Sequence, residues 1–483
     1  MKKALLVFPG FAYYAPIGRP PLGIGYIASV LRNNGYEAKI LDLTLYREPY
    51  EVLEKILAEY KPDYAMFSVL TTTYPSLLGY MEKVKKCESV KTVILGGPHP
   101  TADPEGVMHD FPGVIIVRGE GEVTIVELMS ALEQSKDLSD VQGITYAVNG
   151  EVRSNPTRPF MTDLSSLPLP AFDLMEIGKY EECLEGERIV SMVTSRGCPF
   201  QCVYCLKATH GRNWVGRSSE SIIGEIKHLT ATYNRRAFYF VDDLFTRDEK
   251  RVLEFCGKVK EEKLAVMWRC LARVDMISEK MIAAMYEAGC RMIDFGVESC
   301  DDEILKNIKK GYAYEKVQRA FEWTSKVGVK TKAHMMLALP GDTPETMFRT
   351  IDRICSLPAD HIQFNVTIPF PGTELWTWMQ QQGILPKERS WEFYQMSNIE
   401  QENLTVEEID KLPIYVPAGF TKRNMFELYL LANGLGKLHE FKVKYRKRGW
   451  FGFLLSAGRH PVSLAGALRA RSRYRKFKAG FQK

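Results

Sequence analysis

Short apolar runs alternate with amphipathic stretches over the first 145 residues. The runs are rich in Val, Ile and Leu, which predicts buried strands, and the helical repeats of apolar positions at 22–34 and 50–60 predict helices between them. Such alternation is typical of an α/β domain with a doubly wound parallel sheet, covered by helices on both faces. The predicted strands are 4–8, 38–43, 64–69, 92–95 and 114–117.

A second series of strand and helix patterns follows further along the chain. It contains six strand-helix units, which are too few for a closed eight-fold barrel but suit an open, partial (β/α)6 barrel. Beyond residue 380 the pattern becomes helical and then basic. The predicted strands of this series are 189–194, 237–241, 265–273, 292–297, 331–339 and 361–368.

The segment between the two series predicts a linker. Residues 144–153 alternate around Asn149-Gly150, which indicates a hairpin, and a proline-rich stretch then runs to Pro170. The chain is therefore predicted to divide into a doubly wound domain, a hairpin with linker, a partial barrel and a helical, basic C-terminal region. The predicted bounds are 1–142, 143–187, 188–400 and 401–483.

Composition narrows the class of protein. Apolar residues make up 45% and charged residues 25% of the 483 residues, the usual balance of a globular chain. Ten cysteines are far too few for a disulfide scaffold, so we expect a reducing, cytoplasmic environment. No stretch reaches the roughly 18 consecutive apolar residues of a membrane-spanning helix.

Positive charge is concentrated at the C-terminal end. The net charge of +5 divides into +13 for residues 437–483, with fourteen Lys/Arg against Glu440, and −8 for the rest. Residues 445–455 mix cations with large apolar side chains, as a helix at an anionic lipid surface does. Two interpretations stay open: peripheral contact with the inner face of a membrane, or a basic tail folded over an acidic barrel surface.

The carboxyl ends of the first strand series are polar and rich in glycine. Ligands of open parallel sheets lie beyond these strand ends, and glycines let a large ligand approach the backbone closely. The candidate ligand contacts there are Thr71, Thr72, Gly96, Gly97, His99, Gly119 and Glu120.

The sharpest motif directly follows the first strand of the second series. Cys198, Cys202 and Cys205 are spaced by three and then two residues, so one loop can place three thiolates around one iron-sulfur cluster. Three thiolates on four irons leave one iron without a protein ligand. The alternative is a structural zinc site, which needs a fourth ligand, and His210 is the only nearby candidate.

The spacing Cys198-x3-Cys202-x2-Cys205, with Tyr204 before the last cysteine, resembles the signature of the radical S-adenosylmethionine (SAM) superfamily. The resemblance implies a [4Fe-4S] cluster whose fourth iron binds SAM. It implies reductive cleavage of SAM to a 5′-deoxyadenosyl radical, with an electron donor such as ferredoxin or flavodoxin. Cys198, Cys202 and Cys205 would then be both metal ligands and catalytic residues.

Further motifs match this family in order along the barrel. Asp242 and Asp243 end the second strand, where the resemblance implies acceptors for the SAM ammonium group; a helix N-cap is the alternative. Glu298 is expected to accept hydrogen bonds from ribose hydroxyls and Arg273 to pair with a carboxylate, with a structural salt bridge as the alternative. The remaining predicted SAM contacts are Pro340 and Gly341.

The order of doubly wound domain, linker and cysteine loop resembles the cobalamin (B12)-binding radical SAM class. Residues 365–375 resemble the branch that contains anaerobic magnesium-protoporphyrin ester cyclase and hopanoid- and lipid-tailoring enzymes. The resemblance assigns cobalamin to the glycine-rich strand ends. One departure is that none of the eight histidines lies in an Asp-x-His-x-x-Gly motif, which excludes histidine ligation of cobalt and leaves open a domain that holds no corrinoid.

These features predict an enzyme that modifies an unactivated carbon, by methylation through cobalamin or by ring formation or rearrangement. The basic, aromatic tail favours a hydrophobic small molecule, such as a lipid or a tetrapyrrole. A non-catalytic corrinoid or redox sensor is the alternative. A second N-terminal cluster, as in methylthiotransferases, is excluded because residues 1–182 contain only Cys87. No nucleic-acid-reading module accompanies the tail, so no nucleic-acid partner is expected.

Residues outside these motifs carry weaker predictions. Cys270, Cys290 and Cys300 are predicted to be small buried side chains, with an auxiliary cluster as the alternative. His334 is predicted either to contact the substrate or SAM or to be a satisfied core histidine.

Overall fold

The computed structural model describes residues 1–10, 18–385, 391, 394, 405–412, 414–459 and 461–481. It does not describe the side chains of residues 444–463. The predicted boundary at residues 400–401 lies outside the described residues, and the division into four regions stays a prediction.

The N-terminal region forms a seven-stranded sheet in the order β2-β1-β3-β4-β5-β6-β7. Its first five strands are parallel, as predicted, because each helix carries the chain back to the same end of the sheet. The strands are β1 Lys3–Phe8, β2 Glu37–Asp42, β3 Tyr64–Ser68, β4 Thr92–Gly96, β5 Ile115–Val117, β6 Ile144–Val148 and β7 Glu151–Ser154. The helices are α1 Leu22–Asn33, α2 Pro49–Tyr60, α3 Tyr74–Lys85, α4 Pro98–Ala102, α5 Pro104–Asp110 and α6 Glu122–Glu133.

The predicted hairpin is part of this sheet. Strands β6 and β7 pair with each other around Asn149-Gly150, and β6 pairs antiparallel with β5. Both turn residues have positive φ, at 53° and 83°, which is the conformation that an Asn-Gly turn supplies. The hairpin therefore extends the first sheet, and only the proline-rich stretch connects the two sheets.

The second sheet has the order β16-β15-β14-β13-β12-β9-β8, with six parallel strands and the short β8 antiparallel at one edge. This open sheet confirms the predicted partial barrel. The strands are β8 Cys183–Leu184, β9 Glu187–Met192, β10 Ser195–Arg196, β11 Val215–Gly216, β12 Ala237–Phe240, β13 Met267–Ala272, β14 Cys290–Glu298, β15 Lys330–Leu337 and β16 His361–Val366, of which β10 and β11 form a separate pair. The helices are α7 Ser219–Tyr233, α8 Glu249–Glu261, α9 Glu279–Glu287, α10 Asp302–Asn307, α11 Tyr314–Val327, α12 Pro344–Ile354 and α13 Glu374–Gln381.

The largest apolar core lies between this sheet and the helices on its convex face. Phe240, Phe245, Phe255 and Trp268 contact one another there. The predicted structural cysteines 270, 290 and 300 are fully buried in the same core. Because the described helices α7, α8, α9, α11 and α12 pack on this face, the concave face is left for a site.

After α13, three helices have described bounds: α14 Val406–Lys411, α15 Lys422–Arg459 and α16 Pro461–Phe481. Helix α15 covers the edge strand β16, where the Asn433 amide donates to the carbonyl of Phe364 and accepts from its N–H. On α16, Tyr474 and Lys478 both bond Asp352 of α12. The C-terminal part of the basic tail is therefore folded against the barrel.

The segment 445–455, which is predicted to meet lipid, lies on α15, but its side chains are outside the described residues. Within the described part of the chain, none of the helices has the length and apolar character needed to cross a membrane.

Candidate active site

The cysteine loop begins at a turn that only glycine fits. The paired strands β10 and β11 close the base of the loop. Gly197 has a φ of 81°, and a Cβ atom there would lie 2.1 Å from the carbonyl oxygen of Asn213. The Arg196-Gly197 step therefore turns the backbone sharply, so that Cys198 starts a loop at the carboxyl end of β9.

Two cations lie against the cysteine thiols. Lys207 Nζ is 3.5 Å from Cys205 Sγ, and Arg273 Nη1 is 3.8 Å from Cys202 Sγ. Partial enclosure raises the pKa of the Cys205 thiol, whereas the charge of Lys207 lowers it. Cations at this distance stabilise thiolates, which are the form that binds iron.

The three thiols fit a cluster better than a single ion. Cys205 lies close enough to Cys198 and Cys202 for their charges to raise its pKa. In the described residues, however, no three His, Cys, Asp or Glu side chains converge on one metal ion. A zinc ion needs four convergent ligands, whereas each cysteine of a [4Fe-4S] cube binds a different iron, so the thiols need only surround a common volume.

The two predicted aspartates have different surroundings. The carboxylate of Asp242 is fully buried, with Oδ1 accepting from the N–H of Thr194 at 2.6 Å and Oδ2 accepting from the Ser195 hydroxyl at 2.7 Å. Burial raises the pKa of Asp242, although Arg251 opposes the shift. Both oxygens are thus engaged in the barrel wall.

Asp243 is the aspartate that reaches the cysteine loop. Its Oδ2 accepts from the Gly197 N–H at 2.9 Å and lies 3.1 Å from His210 Nδ1. Desolvation opposes ionisation, but His210 and the Gly197 N–H outweigh it and lower the pKa of Asp243. The side chain is 42% exposed, so this ionised carboxylate faces open space beside the cysteines. His210, the alternative zinc ligand, is the partner of Asp243.

Glu298 and Arg273 lie in one buried network beneath the cysteine loop. Glu298 has a φ of 70°, a left-handed conformation that is rare for residues other than glycine. Its Oε1 accepts from Lys310 Nζ at 3.1 Å and from the Tyr204 hydroxyl at 3.2 Å. Arg273 makes two 3.0 Å bonds to Asp275. The carboxylate partner of Arg273 within the chain is therefore Asp275.

The loop after β15 holds the other predicted SAM residues. Gly341 has a φ of 86°, and a Cβ atom there would lie 2.4 Å from Asn307 Nδ2. The same amide donates a long hydrogen bond to the Pro340 carbonyl. The adjacent Asp342 is buried, which raises its pKa to about 7. Pro340 and Gly341 thus lie at the same end of the barrel as the cysteine loop.

A cavity of about 280 Å³ lies at the carboxyl ends of the first sheet. Thr209 and His210 of the cysteine loop cover it on the other side. Four predicted cobalamin contacts, Gly96, Gly97, Gly119 and Glu120, line this cavity. The interior is apolar, with contributions from Leu6, Ile24, Ile27, Met66, Ile94, Val117 and Ile125.

Glycine is required at the rim of the cavity. Gly97 has a φ of 95°, and a Cβ atom there would lie 2.8 Å from the backbone nitrogen of Val69. Bare backbone at the rim and apolar side chains within suit a flat apolar part of a large cofactor. The cavity therefore fits an apolar part of a corrinoid, which the glycine backbone at the rim would hold.

The other three predicted cobalamin contacts are not part of the cavity lining. His99 and Thr71 are buried and bonded to each other at 3.1 Å, and the His99 ring packs on Tyr74. Thr72 is buried as well. These residues follow the correct strands, but their side chains lie within the protein.

Arg196 links the cysteine loop to the cavity, and sequence reasoning did not single it out. The guanidinium pairs with Glu120 at 3.1 Å and with Glu122 at 2.5 Å, and all three side chains are at least nine-tenths buried. Glu120 also accepts from the Met161 N–H, so each of its oxygens already has a donor within the chain. Arg196 directly precedes the turn at Gly197, and this position next to the motif was the available signal. Sequence reasoning also missed Lys310, and it assigned no contact to Tyr204 or Asp275.

The comparisons with known proteins agree with this architecture. Residues 19–129 match the B12 binding domain, and residues 192–354 match the radical SAM superfamily. An uncharacterised methyltransferase of Pyrococcus horikoshii is 32% identical over 397 residues, which are 81% of this chain and 86% of that protein. An anaerobic magnesium-protoporphyrin IX monomethyl ester cyclase of Rubrivivax gelatinosus is 27% identical over 74% of this chain and 65% of the cyclase.

A solved structure shares the fold. The radical SAM methyltransferase TsrM from Kitasatospora setae, with cobalamin and a [4Fe-4S] cluster bound, has a TM-score of 0.71 at 16% identity and covers 98% of this chain and 100% of its own. A B12-binding sheet followed by a radical SAM half-barrel defines the class of enzyme. The chain belongs to the B12-binding radical SAM family, whose cofactors are a [4Fe-4S] cluster, SAM and cobalamin.

Proposed function

We propose that this enzyme transfers a methyl group to an unactivated carbon of a hydrophobic substrate, a lipid or a tetrapyrrole. When bound, the cluster supplies the electron that cleaves SAM, and cobalamin carries the methyl group. The observation that carries the proposal is the position of the cysteine loop, which lies between the barrel and the glycine-rimmed cavity of the first sheet. The methyltransferase of Pyrococcus horikoshii supports methyl transfer.

The residues have separate roles in this proposal. Cys198, Cys202 and Cys205 hold the cluster. The ionised carboxylate of Asp243 accepts the SAM ammonium group, because Asp242 is already engaged on both oxygens. Attraction between opposite charges is strongest where little water separates them.

The strand ends of the barrel support SAM from below. Glu298 keeps one oxygen on Lys310 and Tyr204, and its other oxygen is the candidate acceptor for the ribose hydroxyls. Arg273 fixes Asp275 and lies 3.8 Å from Cys202 Sγ, so we assign it to positioning of the cluster loop. Pro340 and Gly341 would pass close to SAM through their backbone.

Gly96, Gly97 and Gly119 would let cobalamin approach the backbone. Glu120 acts through Arg196, which it holds at the start of the cysteine loop. Thr71, Thr72 and His99 shape the strand ends behind the cavity.

Ring formation is the second candidate reaction. It is favoured by the similarity to the protoporphyrin ester cyclase, which covers 74% of this chain. A small iron-sulfur or flavin protein of the ferredoxin or flavodoxin type would supply the electrons. The basic helices α15 and α16 would allow peripheral contact with a membrane surface, where a hydrophobic substrate is concentrated.

The test is an anaerobic incubation of the reconstituted enzyme with SAM that carries a trideuterated methyl group, together with a strong reductant. Candidate lipids and tetrapyrroles are offered separately, and the products are analysed by mass spectrometry. Methyl transfer predicts a product that gains the trideuterated methyl group, whereas ring formation predicts a loss of hydrogen without that label. Formation of neither 5′-deoxyadenosine nor S-adenosylhomocysteine would overturn the proposal.

A further inference from the structure

The concave face of the half-barrel presents half-buried side chains on three of its strands. On β15 the exposed and buried positions alternate strictly, with Lys332, His334 and Met336 half-buried and their neighbours buried under the helices. Strands β13 and β16 alternate in the same way over Met267–Leu271 and His361–Phe364. Side chains on these alternating positions share one face of the sheet.

A cavity of about 510 Å³ lies at the lower end of this face, where the strands begin. Lys332, Gln363 and Arg269 line it from the sheet, and Asn433 lines it from α15. Its volume is in the range of small-molecule sites. Glu298 on β14 is in register with Met335 on β15. Met335 lies three residues beyond Lys332, so Glu298 is about 10 Å further along the sheet than Lys332 at the usual rise of a strand.

Lys332 is a cation of this cavity whose charge is balanced only at a distance. The structure gives it neither an ion pair nor a hydrogen bond with any described residue. Burial lowers its pKa, and the charges of Asp294, Glu182 and Glu440 oppose that shift through space. Lys330, two residues earlier on the same face, pairs with Glu185 at 2.6 Å. The two lysines lie on the same strand and the same face, but only Lys330 has an ion-pair partner among the described residues.

The carboxylates around the cavity do not pair with Lys332. Glu182 pairs with Arg19 at 2.8 Å and with Arg269 at 2.9 Å. Glu440 lies 3.2 Å from the His361 ring. Asp294, beside Lys332 on the neighbouring strand, holds Arg269 at 2.6 Å through Oδ2, and its Oδ1 has no hydrogen-bond partner among the described residues. A half-buried ammonium group that makes no ion pair is stabilised by an anionic ligand.

We propose that this cavity binds an anionic group of the substrate, a carboxylate or a phosphate, through Lys332 with support from Gln363. The substrate then lies along the concave face with its reacting carbon about 10 Å away, at the level of Glu298. The inference deepens the proposed function, since it adds an anionic group to the hydrophobic substrate and says where that group binds.

The test uses two matched pairs of probes and the full-length holoprotein. Protoporphyrin IX monomethyl ester carries one carboxylate and its dimethyl ester none; farnesyl phosphate carries a phosphate and farnesol none. Binding is measured by anaerobic ultrafiltration for the wild type, Lys332→Met, Lys332→Arg and the control Lys330→Met. We expect the anionic member of at least one pair to bind about tenfold more tightly than the neutral one.

The variants decide whether the preference belongs to Lys332. Lys332→Met is expected to abolish it, and Lys332→Arg and Lys330→Met are expected to keep it. A preference for the monomethyl over the dimethyl ester that depends on Lys332 identifies a carboxylate as the anionic group of the substrate. A Lys332-dependent preference for farnesyl phosphate over farnesol identifies a phosphate. An equal affinity within both pairs, or a preference that survives in Lys332→Met, overturns the inference. Neither result bears on SAM cleavage, which is measured separately.

Discussion

The two sheets of this enzyme are built from the same strand-helix units, yet they carry ligands differently. Strands β1 and β3 of the first sheet are almost continuously buried, because helices cover both faces. Strand β15 of the second sheet alternates strictly between buried and half-buried residues, because helices cover one face only. The first sheet therefore offers a ligand its edge alone, and the second offers its edge and a whole concave face.

The candidate sites at the two sheet edges are linked by the ion pairs of Arg196 with Glu120 and Glu122. The first sheet contributes glycine backbone and an apolar cavity, whereas the barrel contributes thiols, cations and carboxylates. This difference matches the chemistry of the two cofactors. Substitutions at one edge should therefore affect one cofactor without the other, except at Arg196, which contacts both edges.

The largest effect is expected at Cys202. Cys202→Ala should abolish iron retention and SAM cleavage, because a cluster held by two thiolates is lost. The first sheet should stay folded, since it contributes no cluster ligand. Metal analysis of the purified variant measures iron retention, and circular dichroism measures whether the protein stays folded. Iron at the wild-type level would show that the ligands are assigned wrongly; Cys183→Ala, an exposed cysteine outside the loop, is the control.

Arg196 tests the junction between the edges. Arg196→Met leaves Glu120 and Glu122 buried without their cation, which costs about 3 kcal/mol of stability. We expect a lower Tm and weaker retention of both cofactors. Arg212→Met, an exposed arginine of the same loop, should change neither. A variant at Arg196 with an unchanged Tm would mean that the two regions are not coupled through this residue.

Asp342 gives a pH-dependent test within the barrel. Its carboxyl group has a pKa of about 7 in the folded protein and about 4 in an unfolded chain. Raising the pH from 4 to 7 therefore ionises the unfolded state first and lowers stability, and the effect levels off above pH 7. Between pH 5 and pH 8 the wild type should lose about 2 kcal/mol that Asp342→Asn does not lose.

Thermal denaturation at both pH values measures this difference. Asp140→Asn, at an exposed position, serves as the control and should follow the wild type. Parallel pH profiles for the wild type and Asp342→Asn would show that the carboxyl group is ionised in the fold throughout.

The difference between two glycines of the first region is the smallest expected effect. Gly97 and Gly113 have nearly equal φ values, 95° and 94°, but a Cβ atom meets the Val69 backbone only at Gly97. Alanine should cost about 1 kcal/mol at Gly113 through φ alone and about 1–2 kcal/mol more at Gly97. Only Gly97→Ala should lose bound corrinoid, as measured from the visible spectrum. Equal corrinoid binding in both variants would show that the backbone at Gly97 does not contact the cofactor.

Much of the fold could be predicted from the sequence because hydrophobic patterns are local. The predicted first strand, 4–8, differs from β1 by one residue. The glycines after β4 and β5 line the cavity at the carboxyl ends of the parallel strands, as predicted for ligands of such sheets. The number of strand-helix units predicted the open, partial barrel. The cysteine spacing was equally readable, since a loop of eight residues carries all three thiols.

Side-chain pairing could not be predicted, because it depends on contacts that are distant in sequence. Asp242 and Asp243 are neighbours, yet Asp242 bonds Thr194 within the barrel wall and Asp243 bonds Gly197 in the cysteine loop. Arg196 meets Glu120 across 76 positions, and no local pattern indicates that contact. His99 looked like a cofactor contact at its strand end, but its ring packs on Tyr74.

We propose that all catalysis by this enzyme depends on Cys198, Cys202 and Cys205 holding a cluster with one iron open to SAM. Electron paramagnetic resonance of the anaerobically reconstituted, dithionite-reduced protein observes that cluster. We expect the signal of a one-electron-reduced [4Fe-4S] cluster in the wild type, a changed signal when SAM is added, and no such signal in Cys202→Ala. A cluster signal that is indifferent to SAM, or that persists in Cys202→Ala, would show that these cysteines do not form the SAM-binding cluster.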